Sequence, residues 1–300
     1  MASIALKVDV DTLRGTLEGV PRLLRLLQQR DLAATFLFSL GPDHTGWALR
    51  RVFRPGFLSK VSRTSVLKHY GLRTLAYGVL LPAPDIGRRA AQPMRDCQRA
   101  GHECGVHTWD HVVWHDQVRR QGADWTRAQM ALAHARFTDI FGHAPATHGA
   151  AGWQMNAAAL RQIDDWGMAY ASDGRGSGPH RPVVDGQTLR HVQYPTTLPT
   201  FDELVGTDGI VEGQVHRALL ARTSRAQADH DHVFTLHAEL EGGHFADDFA
   251  ALLDGWLAQG HSLVTLGALH HARAAAAVPA KVLAWGEVPG RSGELLVEPA

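Results

Sequence analysis

The sequence predicts an α/β chain built on parallel strands, and three observations carry that prediction. Short apolar runs alternate with helical segments of ten to fifteen residues, the order that right-handed crossovers between parallel strands require. Six or seven such units recur, which favours a barrel over an open sheet. The residues able to do chemistry fall just after predicted strands, where parallel architectures place their sites.

The first strand is Ile4 to Val10. A helix follows from Glu18 to Arg30, with Val20, Leu23, Leu24, Leu26 and Leu27 at helical spacing and Pro21 in its first turn. Ala34 to Leu40 is the second strand. The helix Ile86 to Arg99 stops at Gly101 before the strand Glu103 to His107. A helix from about Thr126 to Phe141, the strand-like Ala146 to Ala150, a helix from Ala157 to Trp166 and the strand Met168 to Ser172 continue the beat. It returns with the helix Val211 to Arg225, the strand His232 to Leu236, the helix Phe245 to Gln259 and the strand Ser262 to Leu266. Two long loops interrupt it, a basic insertion at 41–84 and the Gly/Pro-rich Gly174 to Gly209, and long loops in a compact domain are usually functional. Residues 1–276 therefore read as one domain, and 277–300 as a C-terminal appendage of low structure.

Composition narrows the function. Of 300 residues, 45% are hydrophobic, enough for a sizeable core. Thirty basic residues balance thirty acidic ones, which argues against general nucleic-acid binding. Cys97 and Cys104 alone make no disulfide framework. Lys7, Asp9 and Asp11 interrupt the start where a secretory signal needs an apolar stretch, and no run approaches the roughly 20 residues of a transmembrane helix, so a cytoplasmic location is expected. Locally the charge is uneven. No carboxylate lies between Asp43 and Asp85, while Arg50, Arg51, Arg54, Lys60, Arg63, Lys68 and Arg73 alternate with bulky apolar residues. Such a basic amphipathic stretch suits an anionic partner.

Four groups of residues stand out. Asp9 and Asp11, one residue apart on a strand, project from one face at its carboxyl end. His107 and His111 lie four apart after another strand, a spacing that lets two imidazoles on a helical turn reach one cation. One aspartate and these two histidines can converge as a facial set with positions left for water and substrate. His237 ends a late strand, and Asp173 with Arg175 follows Tyr170 to Ser172. Each alone has a bland reading as a solvated strand end or an ordinary histidine; four at four strand ends point to a site.

The ordered set Asp9-Val10-Asp11, His107 to His111, Gly152-Trp153, Asp173 and Leu236-His237 resembles the motif series of the polysaccharide deacetylases, the carbohydrate esterase family 4 group. The similarity covers essentially the whole chain. It is strongest toward the undecaprenyl-phosphate 4-deoxy-4-formamido-L-arabinose deformylases, through Val8 to Thr12, Arg14-Gly15-Thr16, Glu18 to Leu24, Gly101 to His111, Ala151-Gly152-Trp153, Ser172-Asp173 with Arg175-Gly176, and Thr197 to Glu203.

The resemblance implies a distorted (β/α)7-type barrel of the polysaccharide deacetylase type, with the basic insertion added. It implies a divalent metal, Zn, Mn, Co or Fe, on Asp11, His107 and His111, with Asp9 as general base and His237 as general acid. The family's first motif has adjacent aspartates, whereas Val10 intervenes here, so the resemblance leaves open which aspartate meets the metal. The family's third motif has an arginine where this chain reads Thr147 to Trp153, and Arg175 or Arg14 is the candidate substitute. A backbone amide near Gly149 to Gly152 is expected at the oxyanion, and Asp173 beside His237. The implied activity is removal of formate from a lipid-linked amino sugar at the cytoplasmic face of the bacterial inner membrane. It serves lipid A modification and cationic antimicrobial peptide resistance, with the chain peripheral on the membrane surface. The alternatives are an N-deacetylase of an N-acetylated glycan and a non-catalytic binder of a lipid-linked sugar.

Overall fold

The first strand is buried along nearly all its length, and its two faces differ in chemistry. In a computed structural model that describes residues 2–48, 66–224, 230–273, 276–291 and 293–298, the leading strands are β1 (Ser3–Val10), β2 (Thr35–Ser39) and β3 (Glu103–Thr108). Four short strands follow, β4 (Tyr170–Ala171), β5 (Arg181–Val184), β6 (Gln187–Thr188) and β7 (Val192–Gln193). Then come β8 (His232–His237) and β9 (Ser262–Val264), and β10 (Ala280–Val282), β11 (Ala284–Glu287) and β12 (Glu294–Val297) in the tail.

β1 is central. β8 pairs with it in parallel over Ile4 to Asp9, while β2 on the opposite edge pairs with Lys7 to Val10 and β9 with Ser3 to Ala5. β3 extends the sheet beyond β2. From there single bonds replace ladders: Val106 bridges His148, Ser172 N–H donates to the His148 carbonyl, β4 pairs β7, and Thr197 N–H donates to the Val233 carbonyl. These contacts run on round to β8 as a distorted barrel, whose continuous ladder among the described residues is β3-β2-β1-β8 with β9 on β1, the β4–β7 pair standing apart from it. The expected strand Ala146 to Ala150 survives as one of these bridges.

Alternation sorts the side chains. Ile4, Leu6, Val8, Val10, Phe36, Phe38, Val106, Phe234 and Leu236 point outward into the main core. Helices Val20–Gln28, Ala91–Arg99, Ala123–Phe141 and Ala246–Gln259 cover that core with Leu23, Met94, Phe137 and Phe249 among others. The inward face carries Lys7, Asp9, Thr35, Glu103, His107, Thr235 and His237. A barrel interior is normally filled with branched apolar residues; a polar one marks the site.

Three expectations need correction. The helix expected over Ile86 to Arg99 breaks at Ala90, giving Ile86–Arg89 and Ala91–Arg99. Gly174 to Gly209 is no plain loop, because β5, β6 and β7 lie within it. The tail is integral: β10 pairs with β5, β11 with β12, and Leu296 is buried in a second core with Met155 and Leu160. An apolar pair, Leu295-Leu296, is enough to anchor a segment whose prolines and glycines suggested little structure. The centre of the basic insertion, 49–65, lies outside the described residues. Its later part includes a helical segment, Val66–Ala76, with a kink at Gly71.

Candidate metal centre and active site

Asp11 ends the first strand's run of inward residues, and His107 and His111 flank the turn after β3. Asp110 caps the helix His111–Gln117, accepting from Val113 N–H, and so sets the turn that brings His111 back over His107. The two rings stack with centroids 5.4 Å apart. His107 Nε2 lies 3.2 Å from Asp11 Oδ1, and His111 Nε2 lies 3.5 Å from Asp11 Oδ2. One ligand atom from each residue falls within 4.8 Å of the others.

The residues fit a divalent cation. His107 Nδ1 lies 2.6 Å from the Gly149 carbonyl, which can only accept, so this nitrogen carries the hydrogen and Nε2 presents a lone pair. His107 Nε2 and Asp11 Oδ1 are buried with no hydrogen-bond partner. Burial alone would raise the Asp11 carboxyl, but His111 and His107 outweigh it and hold the group well below the usual carboxylate range. Two imidazole nitrogens and a carboxylate suit Zn, Mn, Co or Fe.

Asp9 stands apart from this set. Its Oδ2 accepts from Lys7 Nζ at 3.0 Å, and both side chains are almost wholly buried. Its Oδ1, 3.8 Å from His107 Nδ1, is buried without a hydrogen-bond partner. Asp9 therefore has one anchored oxygen and one free to take a proton. The sequence reading gives Lys7 no role at the site, although period two places residues 7, 9 and 11 on one face and a lysine inside an apolar strand is a signal.

His237 is the register partner of Asp9, so the two side chains leave adjacent strands on the same face. Its ring meets the Trp153 indole edge-on at 6.4 Å, and its backbone N–H donates to Glu241 Oε2. Trp153 has a left-handed φ of 53°, costly outside glycine, and follows Gly152 at φ 60°. Its indole is fixed by a hydrogen bond to Thr196 and by three cations, Lys7, Arg175 and Arg291, over the ring. A Cβ on Gly152 would lie 2.1 Å from the His115 ring, so glycine is required there.

Several expected placements differ. Asp173 is not the partner of His237: its oxygens go to His148 Nδ1 and Gln193 Nε2, both at 2.6 Å, in a buried strut across the bridged side of the barrel. Burial works against ionised Asp202, and Arg291 and His237 outweigh it and hold its carboxyl below the usual carboxylate range. Neither expected arginine reaches Asp9, whose cation is Lys7. Arg175 forms a buried pair with Glu203, while Arg14 pairs with Glu18 nearer the surface. The Gly149 amide is already bonded to the Val106 carbonyl and offers nothing to an oxyanion.

One further carboxylate supports the mouth. Glu239 Oε1 accepts from the backbone of Asp11 and Thr12 and from the Thr12 hydroxyl, fixing the turn after β1. Burial, with the Asp11 charge beside it, pushes the Glu239 carboxyl up to about 8. π-helical turns Gly15–Gly19 and Leu240–His244 follow β1 and β8 and pack backbone to backbone. A Cβ on Gly19 would lie 2.1 Å from the Ala238 carbonyl oxygen.

The polysaccharide deacetylase family profile matches residues 3–171. Over 242 residues, 81% of this chain and 77% of the relative, the sequence is 35% identical to a Shewanella sediminis protein described as the 4-deoxy-4-formamido-L-arabinose-phosphoundecaprenol deformylase ArnD. A Wigglesworthia glossinidia brevipalpis protein of the same description is 29% identical over 241 residues, 80% of this chain and 83% of that one. Among solved structures, a Mycobacterium smegmatis protein described as a polysaccharide deacetylase superposes with a TM-score of 0.65 at 19% identity, covering 96% of this chain and 95% of that one. A Clostridium thermocellum family 4 acetyl xylan esterase in complex with a cobalt ion gives 0.52 at 14% identity, covering 90% and 91%. Among the described residues, no helix is long and apolar enough to cross a membrane.

Proposed function

The chain belongs to the polysaccharide deacetylase family, and from that premise we propose that it is a metal-dependent deformylase. The substrate in this reading is undecaprenyl-phosphate-linked 4-deoxy-4-formamido-L-arabinose, the compound class named for both curated relatives. The observation that carries it is the Asp11, His107 and His111 cluster flanked on one rim by Asp9 and His237.

A divalent cation held by Asp11, His107 and His111 would polarise the amide oxygen and acidify a water. Asp9, with Oδ2 held by Lys7, takes the proton from the attacking water through Oδ1. As the new C–O bond forms and the C–N bond breaks, His237 delivers a proton to the departing amine, leaving formate and the free amino sugar. Trp153 walls the mouth against bulk water and holds the His237 ring from one side. In this reading the work is done at the cytoplasmic face of the inner membrane, with the chain attached peripherally. Exposed Leu72, Val79, Leu80 and Leu81 in the insertion support that attachment.

The test is formate release from the lipid-linked formamido sugar, compared with acetate release from its acetamido counterpart, with and without a chelator. Formate release that stops with the chelator and returns with added cation is expected. Faster acetate release would make the chain a deacetylase, and formate release indifferent to chelation would remove the metal.

A further inference from the structure

The mouth described so far accounts for the sugar end of the proposed substrate and leaves its lipid phosphate without a place. Beside it lies a groove of about 470 Å³ between the turn after β1 and the kinked segment of the insertion. Leu13, two residues past Asp11, forms its inner end, and Leu17, Leu72 and Tyr77 continue along its walls. Leu17 is 45% exposed and Leu72 78% exposed, an arrangement that water disfavours.

The polar lining is mostly cationic. Arg14, Arg73 and Arg89 border the groove, with Glu18 the one carboxylate among the described lining residues, already paired to Arg14. The Arg73 and Arg89 side chains make no ion pair with a described residue and remain available to an anion. Gly71 holds a left-handed φ of 75°, and a Cβ there would lie 2.8 Å from Arg14 Nη1. The absence of a side chain at this kink lets the guanidinium lie against the opposite wall, where the two sides of the groove meet.

We propose that this groove is the binding site for the prenyl phosphate portion of the substrate. The phosphate sits among Arg14, Arg73 and Arg89, and the first isoprene units lie on Leu17 and Leu72. Arginine matches phosphate through paired N–H donors, and an isoprenoid covers the apolar surface that is otherwise wet. A free phosphate would satisfy the arginines and leave the leucines unexplained. The inference rests on the deformylase reading for the identity of the lipid, and adds where that lipid binds.

The probe is farnesyl phosphate below its micelle concentration, titrated calorimetrically into the full-length protein, with inorganic phosphate and farnesol as controls. Farnesyl phosphate should bind more tightly than either control. Arg73→Ala and Arg89→Ala should each weaken it about tenfold or more, and Leu72→Ser should weaken it while leaving inorganic phosphate unchanged. Both arginines are on the surface, so these variants should keep the wild-type melting temperature and bound-metal content. Unchanged affinity in both arginine variants, or inorganic phosphate binding as tightly as farnesyl phosphate, overturns the proposal. Farnesyl phosphate carries no amide, so the two readings separate. Formate release without farnesyl phosphate binding sinks the groove alone; binding without formate release sinks the deformylase reading alone.

Discussion

Asp9 and His237 are paired residues on adjacent parallel strands, β1 and β8, with their side chains on the same face at the carboxyl end of the sheet. In the proposed mechanism these two are the proton acceptor and the proton donor, and the pairing fixes both to rigid backbone rather than to loops, with the Asp11, His107 and His111 cluster on the same rim. The arrangement separates two functions that one variant series can distinguish. Asp9→Asn and His237→Ala should retain stoichiometric metal by elemental analysis after gel filtration, yet lose turnover by about 100-fold or more. His107→Ala and Asp11→Ala should lose the metal itself. Full metal in both of the latter would move the centre elsewhere.

Lys7 and Asp9 form a buried pair, and removing one partner leaves an uncompensated charge. Lys7→Met should cost about 3–5 kcal/mol in urea unfolding. Adding Asp9→Asn to Lys7→Met should recover a large part of that loss, because the orphaned charge goes with it. Strict additivity of the two changes would show that the pair is not coupled.

The tail should behave as part of the fold. Leu296 is buried against Met155 and Leu160, so Leu296→Ala is expected to destabilise the domain by about 2–5 kcal/mol. A detached appendage would tolerate the change with no shift in the urea midpoint.

His232 gives a pH dependence of stability. Burial, with repulsion from His230 and His261, pushes its imidazole down to about 4, and its Nε2 is buried without a hydrogen-bond partner. The unfolded chain therefore takes up this proton first on acidification. The stability contributed by neutral His232 is intact above the ordinary value of about 6.5 and is lost as pH falls from there toward 4. Urea midpoints across that window should fall less steeply in His232→Phe than in the wild type; equal slopes would assign the loss to other groups.

Local periodicity made most of this architecture readable from the chain. Strands with two buried faces appear as apolar runs, and Asp9, Asp11, His107, His111 and His237 fall at strand ends because parallel sheets gather chemistry there. Lys7 was equally readable from the same alternation. Arg291 was not: it reaches Asp202 and Glu203 from the far end of the chain, and a contact of that sequence separation has no local pattern. Asp173 misled for a related reason. Its place after β4 suggested the rim, whereas its orientation is set by His148 and Gln193, which only the folded circuit brings together.

The most direct test of the central claim is anomalous scattering from crystals of the protein grown with a divalent cation. One strong peak bonded to Asp11, His107 and His111, with Asp9 outside its coordination and still held by Lys7, is the predicted result. A peak ligated by Asp9 in place of Asp11, or located away from these side chains, would contradict it.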